Sequence, residues 1–371
     1  MNTENSQRII KAQSPAESTV AVPIDSANVN SATSRFNNIV EALKQGKMIA
    51  LTIEATSNCN LSCQFCGMHS KAYDLDDGSD GKAARKSKGH MRLPLFMSFV
   101  EKMRGLPPLK VLYYHGHGEP LLNKNLEKMI EAAVSAGLTE RTVIVSNGTL
   151  LTANRLVKLV EAGMNEIRVS LDVITPATYQ RIKGEDMGAQ VVENIRACLK
   201  EIRNSNLKVG FSIDCMRWRD KASELYAENR LIEETLSEEV KSTPGANIRW
   251  RDEFNWIEKM GHAQTVVLHQ RKTACESPFY MLLIHTDGKV SACCGDSTLD
   301  LVVGNLKEVA NFKEIIEGAP LQDLRRALLD GDLKRYPLCH RCDAGSVVDI
   351  ELQKNRDTLL PVLNGIRERI A

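Results

Sequence analysis

The 371-residue chain contains no run of eighteen apolar residues, so no segment reads as a membrane-spanning helix. Its first residues, Met1-Asn2-Thr3-Glu4-Asn5-Ser6-Gln7-Arg8, lack the apolar core of a signal peptide. Net charge is nearly absent too. The 48 basic residues against 47 acidic ones leave +1, and the basic residues are dispersed, which excludes the footprint of a nucleic-acid-binding protein. Residues 1 to about 34 are rich in Ser, Asn, Thr and Ala and lack apolar periodicity, the composition of a mobile tail. These absences set the expectation of a cytoplasmic protein with neither membrane nor nucleic acid as a partner. What the chain does have is cysteine, ten in all. In a chain read as not exported, such thiols are more often metal ligands or free thiols than disulfides. The length gives a prior of two domains.

Cys59, Cys63 and Cys66 are spaced C-x3-C-x2-C directly after the strand-like run Ile49-Ala50-Leu51-Thr52-Ile53-Glu54-Ala55. A loop this short can wrap its sulfurs around one compact metal centre. Three thiolates are one too few for a closed tetrahedral site or for the four irons of a cubane cluster. Either a distant residue completes a zinc site, or a 4Fe–4S cluster sits here with one iron open to a small molecule.

Around this loop, strands and helices alternate. Phe36, Ile39, Val40 and Leu43 predict a short helix ending near Gly46. A polar stretch from Ser70 to His90 reads as a solvated loop or a lid over the site. Helices are then expected at 94–104, 125–137, 152–162, up to about 204, and 220–241. Strands are expected at 109–114, 142–146, 166–171, 207–213 and 247–251. Such alternation argues for parallel strands with right-handed crossovers, in an open sheet or a barrel. In parallel α/β folds the functional groups lie beyond the C-terminal ends of the strands. There the sequence offers the cysteine loop, then Gly116-His117-Gly118-Glu119-Pro120, then Asn147, then Ser170 and Asp172.

The cysteine loop, with the aromatic Phe65 before its third cysteine, resembles the cluster loop of the radical S-adenosylmethionine (radical SAM) superfamily. The resemblance implies a partial (β/α)6 barrel, a 4Fe–4S cluster on Cys59, Cys63 and Cys66, and S-adenosylmethionine on the open iron. Gly116, Gly118 and Glu119 resemble the family's GGEP motif, which accepts from the cofactor's ammonium; His117 departs from it. Ser170 and Asp172 resemble the strand-four polar pair that approaches the cofactor, and Asn147 holds a turn or reaches toward the cofactor. Lys183 stands where relatives carry a basic residue and reads as a solvated helix end. Cys198 and Cys215 read as core thiols.

A second cysteine set lies in the last hundred residues. The run Met281 to Asp296 reads as a β-hairpin about Asp287-Gly288, which returns Cys275 toward the adjacent Cys293 and Cys294. Cys339 and Cys342 form a C-x2-C knuckle. With Cys275 and one of the pair they make four thiolates, enough to close a cluster or a zinc ion. This half resembles the SPASM/twitch domains appended to radical SAM enzymes, in the shorter form with one auxiliary cluster, and the spacing from Cys275 favours Cys293 over Cys294. The implied organisation is a tail and helix over 1–46, a barrel over 47–262 and a small auxiliary-cluster domain over 263–371, with a β-hairpin and helices.

The activity implied is hydrogen abstraction by a 5′-deoxyadenosyl radical. A fully ligated second 4Fe–4S cluster would take the electron left on the substrate, dehydrogenating a sugar or cyclitol alcohol, with Asp296 as the expected proton acceptor. Modification of a ribosomal peptide is the runner-up. A redox-neutral epimerisation, with Cys215 or Cys294 returning a hydrogen atom, is the third reading. A flavodoxin or ferredoxin is the expected reductant. A non-enzymatic metal scaffold would leave the Gly-Glu-Pro loop and the strand-four pair unexplained.

Overall fold

The computed structural model describes residues 26–70, 89–252, 274–340, 342 and 347–368. The expected tail over 1–25, the lid over 71–88 and the domain boundary at 262/263 lie outside these residues.

Strand β1 (Ala50–Ile53) is buried along its whole length. From it the chain alternates as expected: α2 (Leu93–Lys102), β2 (Val111–Tyr114), α3 (Leu126–Ser135), β3 (Thr142–Ser146), α4 (Ala153–Glu161), β4 (Glu166–Ser170), α5 (Pro176–Lys183), α6 (Gly188–Asn204), β5 (Gly210–Arg217), α7 (Leu225–Lys241) and β6 (Ala246–Asp252). Local signals fix the boundaries. Pro94 sits in the first turn of α2, where its missing N–H costs nothing. The Thr152 hydroxyl caps α4 by accepting from the Arg155 N–H. Neighbouring strands from β1 to β6 are parallel and pair in sequence order, the open arc of a partial barrel.

Two expectations shift. The fifth strand runs 210–217 rather than 207–213. The Leu207 N–H still bonds the Ile202 carbonyl at the end of α6, and pairing with β6 carries the strand on to Arg217. Cys215 therefore lies within the sheet. The N-terminal helix α1 spans Ser26–Lys44, so residues 26–34 are helical rather than tail. Tertiary packing overrides their modest helix propensity: Ala32, Phe36, Ile39 and Leu43 bury one stripe, and α1 lies against the C-terminal helices α9 (Val347–Lys354) and α10 (Arg356–Glu368).

The expected hairpin forms from β7 (Met281–Ile284) and β8 (Lys289–Ser291), and β9 (Val302–Asn305) adds a third strand. It does not stand apart from the barrel. β7 pairs in parallel with β1, Ala50 opposite Met281 and Ile53 opposite Ile284, so the nine strands among the described residues form one sheet. Helix α8 (Ala319–Asp330) packs behind this extension. Among the described residues no helix is long and apolar enough to cross a membrane.

Candidate active site

The cysteine loop is pinned by its backbone. Ser62 N–H donates to the Lys183 carbonyl (3.1 Å) and Gln64 N–H to the Ile182 carbonyl (2.8 Å), tying the loop to the end of α5. Cys59, Cys63 and Cys66 are half-buried and close enough for their charges to interact. Burial pushes the Cys59 thiol up to about 11 and the Cys63 thiol up to about 12. Three soft donors on one short loop, reluctant to ionise without a cation, fit a thiolate-bound iron cluster with one iron left open.

The second-strand loop lies directly on this one. A Cβ on Gly118 would come within 2.3 Å of the Thr56 carbonyl oxygen and 2.4 Å of that of Asn58, so only glycine fits. Gly116 has φ +138°, and a Cβ there would come within 3.0 Å of the Glu54 side chain. Glu119 is buried. Its carboxylate accepts from the Ser146 hydroxyl (2.8 Å), the Leu121 N–H (3.0 Å) and the Asn147 N–H (2.7 Å), which locks the loops after β2 and β3 together. Burial outweighs these bonds and pushes Glu119 up to about 6. Asn147 extends the lock, its amide donating to Asn60 Oδ1 (3.0 Å) and pointing at Cys59 Sγ (3.9 Å).

Asp172 adopts φ +61°, and its carboxylate accepts from the Met216 N–H (2.8 Å) and from Lys183 Nζ (2.5 Å). Lys183 is not the solvated helix end expected. It is 2 % exposed, lies 5.2 Å from the Phe65 ring centroid, and also reaches the Ser170 carbonyl (3.3 Å). Burial lowers its pKa, but Asp172 and Cys63 outweigh burial and hold it above the usual lysine range. Alternation along the sheet has no bearing on this residue; a lysine directly after the last apolar residue of a helix, Ile182, carries no signal of burial.

A second buried cluster was not anticipated. Glu54 accepts from His117 Nδ1 (3.0 Å), while its other oxygen faces His285 Nδ1 (3.4 Å) and accepts from the Thr286 N–H (3.2 Å). The two imidazoles stack at 5.8 Å, and His285 Nε2 lies 2.8 Å from the Ser291 hydroxyl. Burial raises Glu54, but the bonds and charges of the two histidines hold it well below the carboxylate range. The cluster joins β1, the glycine loop and the C-terminal hairpin, and explains why His117 replaces the small residue of the motif. The sequence signal is partial: a glutamate at the end of an apolar strand marks Glu54, but nothing near it marks His285.

At the other corner, Cys275, Cys293, Cys294, Cys339 and Cys342 are all half-buried. Cys342 N–H bonds the Cys339 carbonyl (3.2 Å), the tight turn of a C-x2-C knuckle. The spacing argument picks Cys293 as the fourth donor. In the fold both adjacent thiols sit at this corner. Cys293 Sγ accepts from the Gly295 N–H (3.3 Å), and the charge of Cys294 feels Cys275 and Cys342. Four thiols here fit a closed cluster.

A cavity of about 480 Å³ spans the two corners. Phe65, Gly116, Ser170 and Asp172 line it on the side of the first cysteine set, Cys294 and Glu276 on the other, and Cys215 lies on its wall. Asp296, the expected proton acceptor, is not on this wall. It is fully buried, and its two carboxylate oxygens accept from the Asp300 (2.9 Å) and Leu301 (2.8 Å) N–H groups, which makes it a loop-holding residue. Cys198 lies in the core beneath, as expected.

Residues 53–217 match the family model described as "Radical SAM superfamily", and residues 275–343 match the SPASM model, "Iron-sulfur cluster-binding domain". A curated relative, the S-adenosyl-L-methionine-dependent 2-deoxy-scyllo-inosamine dehydrogenase of Niallia circulans, is 22% identical over 300 residues, 80% of this chain and 93% of that protein. Other curated relatives match over regions in which this chain spans less than half of their length. The crystal structure of BtrN in complex with AdoMet and 2-DOIA superposes with a TM-score of 0.52 at 19% identity, covering 81% of this chain and 95% of that one. Streptococcus suis SuiB bound to precursor peptide SuiA gives 0.51 at 12% identity, covering 94% and 82%. The domains imply a 4Fe–4S cluster with S-adenosylmethionine and further iron–sulfur binding in the C-terminal part. On these matches, and on the two cysteine corners flanking one cavity, the chain belongs to the radical SAM superfamily and carries a C-terminal SPASM domain.

Proposed function

We propose that the chain is a dehydrogenase acting in the cytoplasm on a small molecule, an alcohol carbon of a sugar or cyclitol being the favoured target, with a flavodoxin- or ferredoxin-type reductant. The observation that carries the reading is a cavity lined on one side by Phe65 of the cysteine loop and on the other by Glu276 and Cys294, which neighbour Cys275 and Cys293 in sequence. The Niallia circulans dehydrogenase, matched over 93% of its length, supports it. The cavity's size suits a small molecule better than a peptide segment.

When bound, the first cluster with S-adenosylmethionine supplies hydrogen abstraction, and a second cluster supplies a one-electron acceptor. Cys59, Cys63 and Cys66 would hold the former, and Cys275, Cys293, Cys339 and Cys342 the latter. The chain itself would orient what is bound: Phe65, Ser170 and Asp172 line one side of the cavity. Loss of a C–H hydrogen atom, one electron and the O–H proton gives the two-electron oxidation. Asp172, Asp214 and Glu276 are the carboxylates on the wall, and one of them would take that proton.

One observation favours a second reading. Cys215 and Cys294 both line the cavity, and burial pushes the Cys215 thiol far up, keeping it as S–H. A hydrogen returned from that S–H would make the reaction a redox-neutral epimerisation.

The separating experiment is the Cys339→Ala/Cys342→Ala variant, assayed against a panel of sugar and cyclitol alcohols. A dehydrogenase should still form 5′-deoxyadenosine but lose its oxidised product. Oxidised product at the wild-type rate would overturn the proposal.

A further inference from the structure

The concave face of the sheet carries an unbalanced set of arginines. β4 presents Glu166, Arg168 and Ser170 at alternate positions. Register places Asp214 of β5 opposite Ser170, with Arg249 and Arg251 of β6 opposite Asp214 and Met216. Period-two alternation puts these side chains on one face. Glu166 receives Arg168 (2.5 Å), Arg249 (3.6 Å) and Arg141, and Asp214 receives Arg249 (3.5 Å) and Arg251. Among the described residues, four guanidiniums thus share two carboxylates. The cavity's other carboxylates are each balanced, Glu276 by Arg35 and Asp172 by Lys183 behind the wall.

We infer that Arg168 and Arg251, which both line the cavity, form a subsite for an oxyanion, the phosphate or carboxylate group of the substrate. This rests on the reading that the cavity holds the substrate. The physical reason is charge balance. Clustered cations in a partly dry pocket repel one another, and a guanidinium fork pairs best with an oxyanion. Arg168 is 13% exposed and is held over the Tyr113 ring at 5.6 Å, so its fork is fixed in advance; Arg251, at 49%, can move onto a ligand. The uncompensated field is felt by its neighbours. Burial lowers Arg249, and although Asp214 opposes this, repulsion from Arg168 and Arg251 adds to it. His115 on the same wall is brought to about 4 by burial, then by His117, Arg168 and Arg251.

The test uses cluster-loaded protein and two probes, inorganic phosphate followed by ³¹P line broadening and ¹³C-labelled acetate followed by ¹³C. Saturable binding of either probe is expected, weakened about tenfold or more in Arg168→Met and in Arg251→Met. The probe that binds identifies the group. Circular dichroism and iron content should be unchanged, and S-adenosylmethionine affinity should match wild type. Three results would overturn the inference: no saturable binding, equal binding in both variants, or weakened S-adenosylmethionine binding, which would assign the arginines to the cofactor. The oxidation itself is read separately, from product mass, so failure of one leaves the other standing.

Discussion

Replacing Cys59, Cys63 and Cys66 together by alanine should abolish cofactor cleavage and lower the iron of the anaerobically loaded protein from about eight to about four per chain. The fold should survive. The loop is held by backbone bonds from Ser62 and Gln64 to the end of α5, and Gly118 packs on the backbone of residues 56–58, none of which needs a thiol. The second cysteine set belongs to a different corner and should keep its iron. Metal analysis with 5′-deoxyadenosine chromatography reads both effects. Zinc in place of iron, or full iron in the triple variant, would remove these cysteines from the assignment.

Lys183→Met should destabilise the protein by ~3–5 kcal/mol, the usual result of breaking a buried ion pair by removing one partner. Lys183 is almost wholly buried and Asp172 nearly so, and without Nζ the carboxylate keeps one strong donor, the Met216 N–H. The pair also stands between the cysteine loop and the end of β4, so the loss should appear in cluster retention as well as in denaturant midpoint. Lys183→Met/Asp172→Asn should recover much of the stability, because no lone charge is left behind. Denaturant titration of the anaerobic proteins measures this. A single variant as stable as wild type would mean the pair is not held in the way described.

The rim of the site was legible because each contribution is local. A strand ends, and the residues singled out follow within a few positions: the cysteines after β1, Gly116 to Pro120 after β2, Asn147 after β3, Ser170 and Asp172 at the end of β4. Strand and helix periodicity likewise placed the α/β alternation and the Asp287-Gly288 hairpin. What escaped depends on residues far apart in sequence. Glu54 meets His285 across 231 positions, and neither residue's neighbours announce the other. β7 pairs with β1 only because the barrel leaves that edge open, which no pattern within 281–284 encodes. The helicity of residues 26–34 comes from packing on the C-terminal helices rather than from their own propensity. Asp296 misled because a carboxylate beside a cysteine pair looks the same in sequence whether it faces a cavity or caps its own loop.

The claim that substrate loses two electrons at this site is tested most directly by turning over a converted alcohol in heavy water and weighing the product. Dehydrogenation predicts a product two hydrogens lighter than the substrate, with no solvent deuterium at the reacting carbon. A product of unchanged formula carrying one deuterium, abolished by Cys215→Ala or Cys294→Ala, would contradict the account and make the enzyme an epimerase.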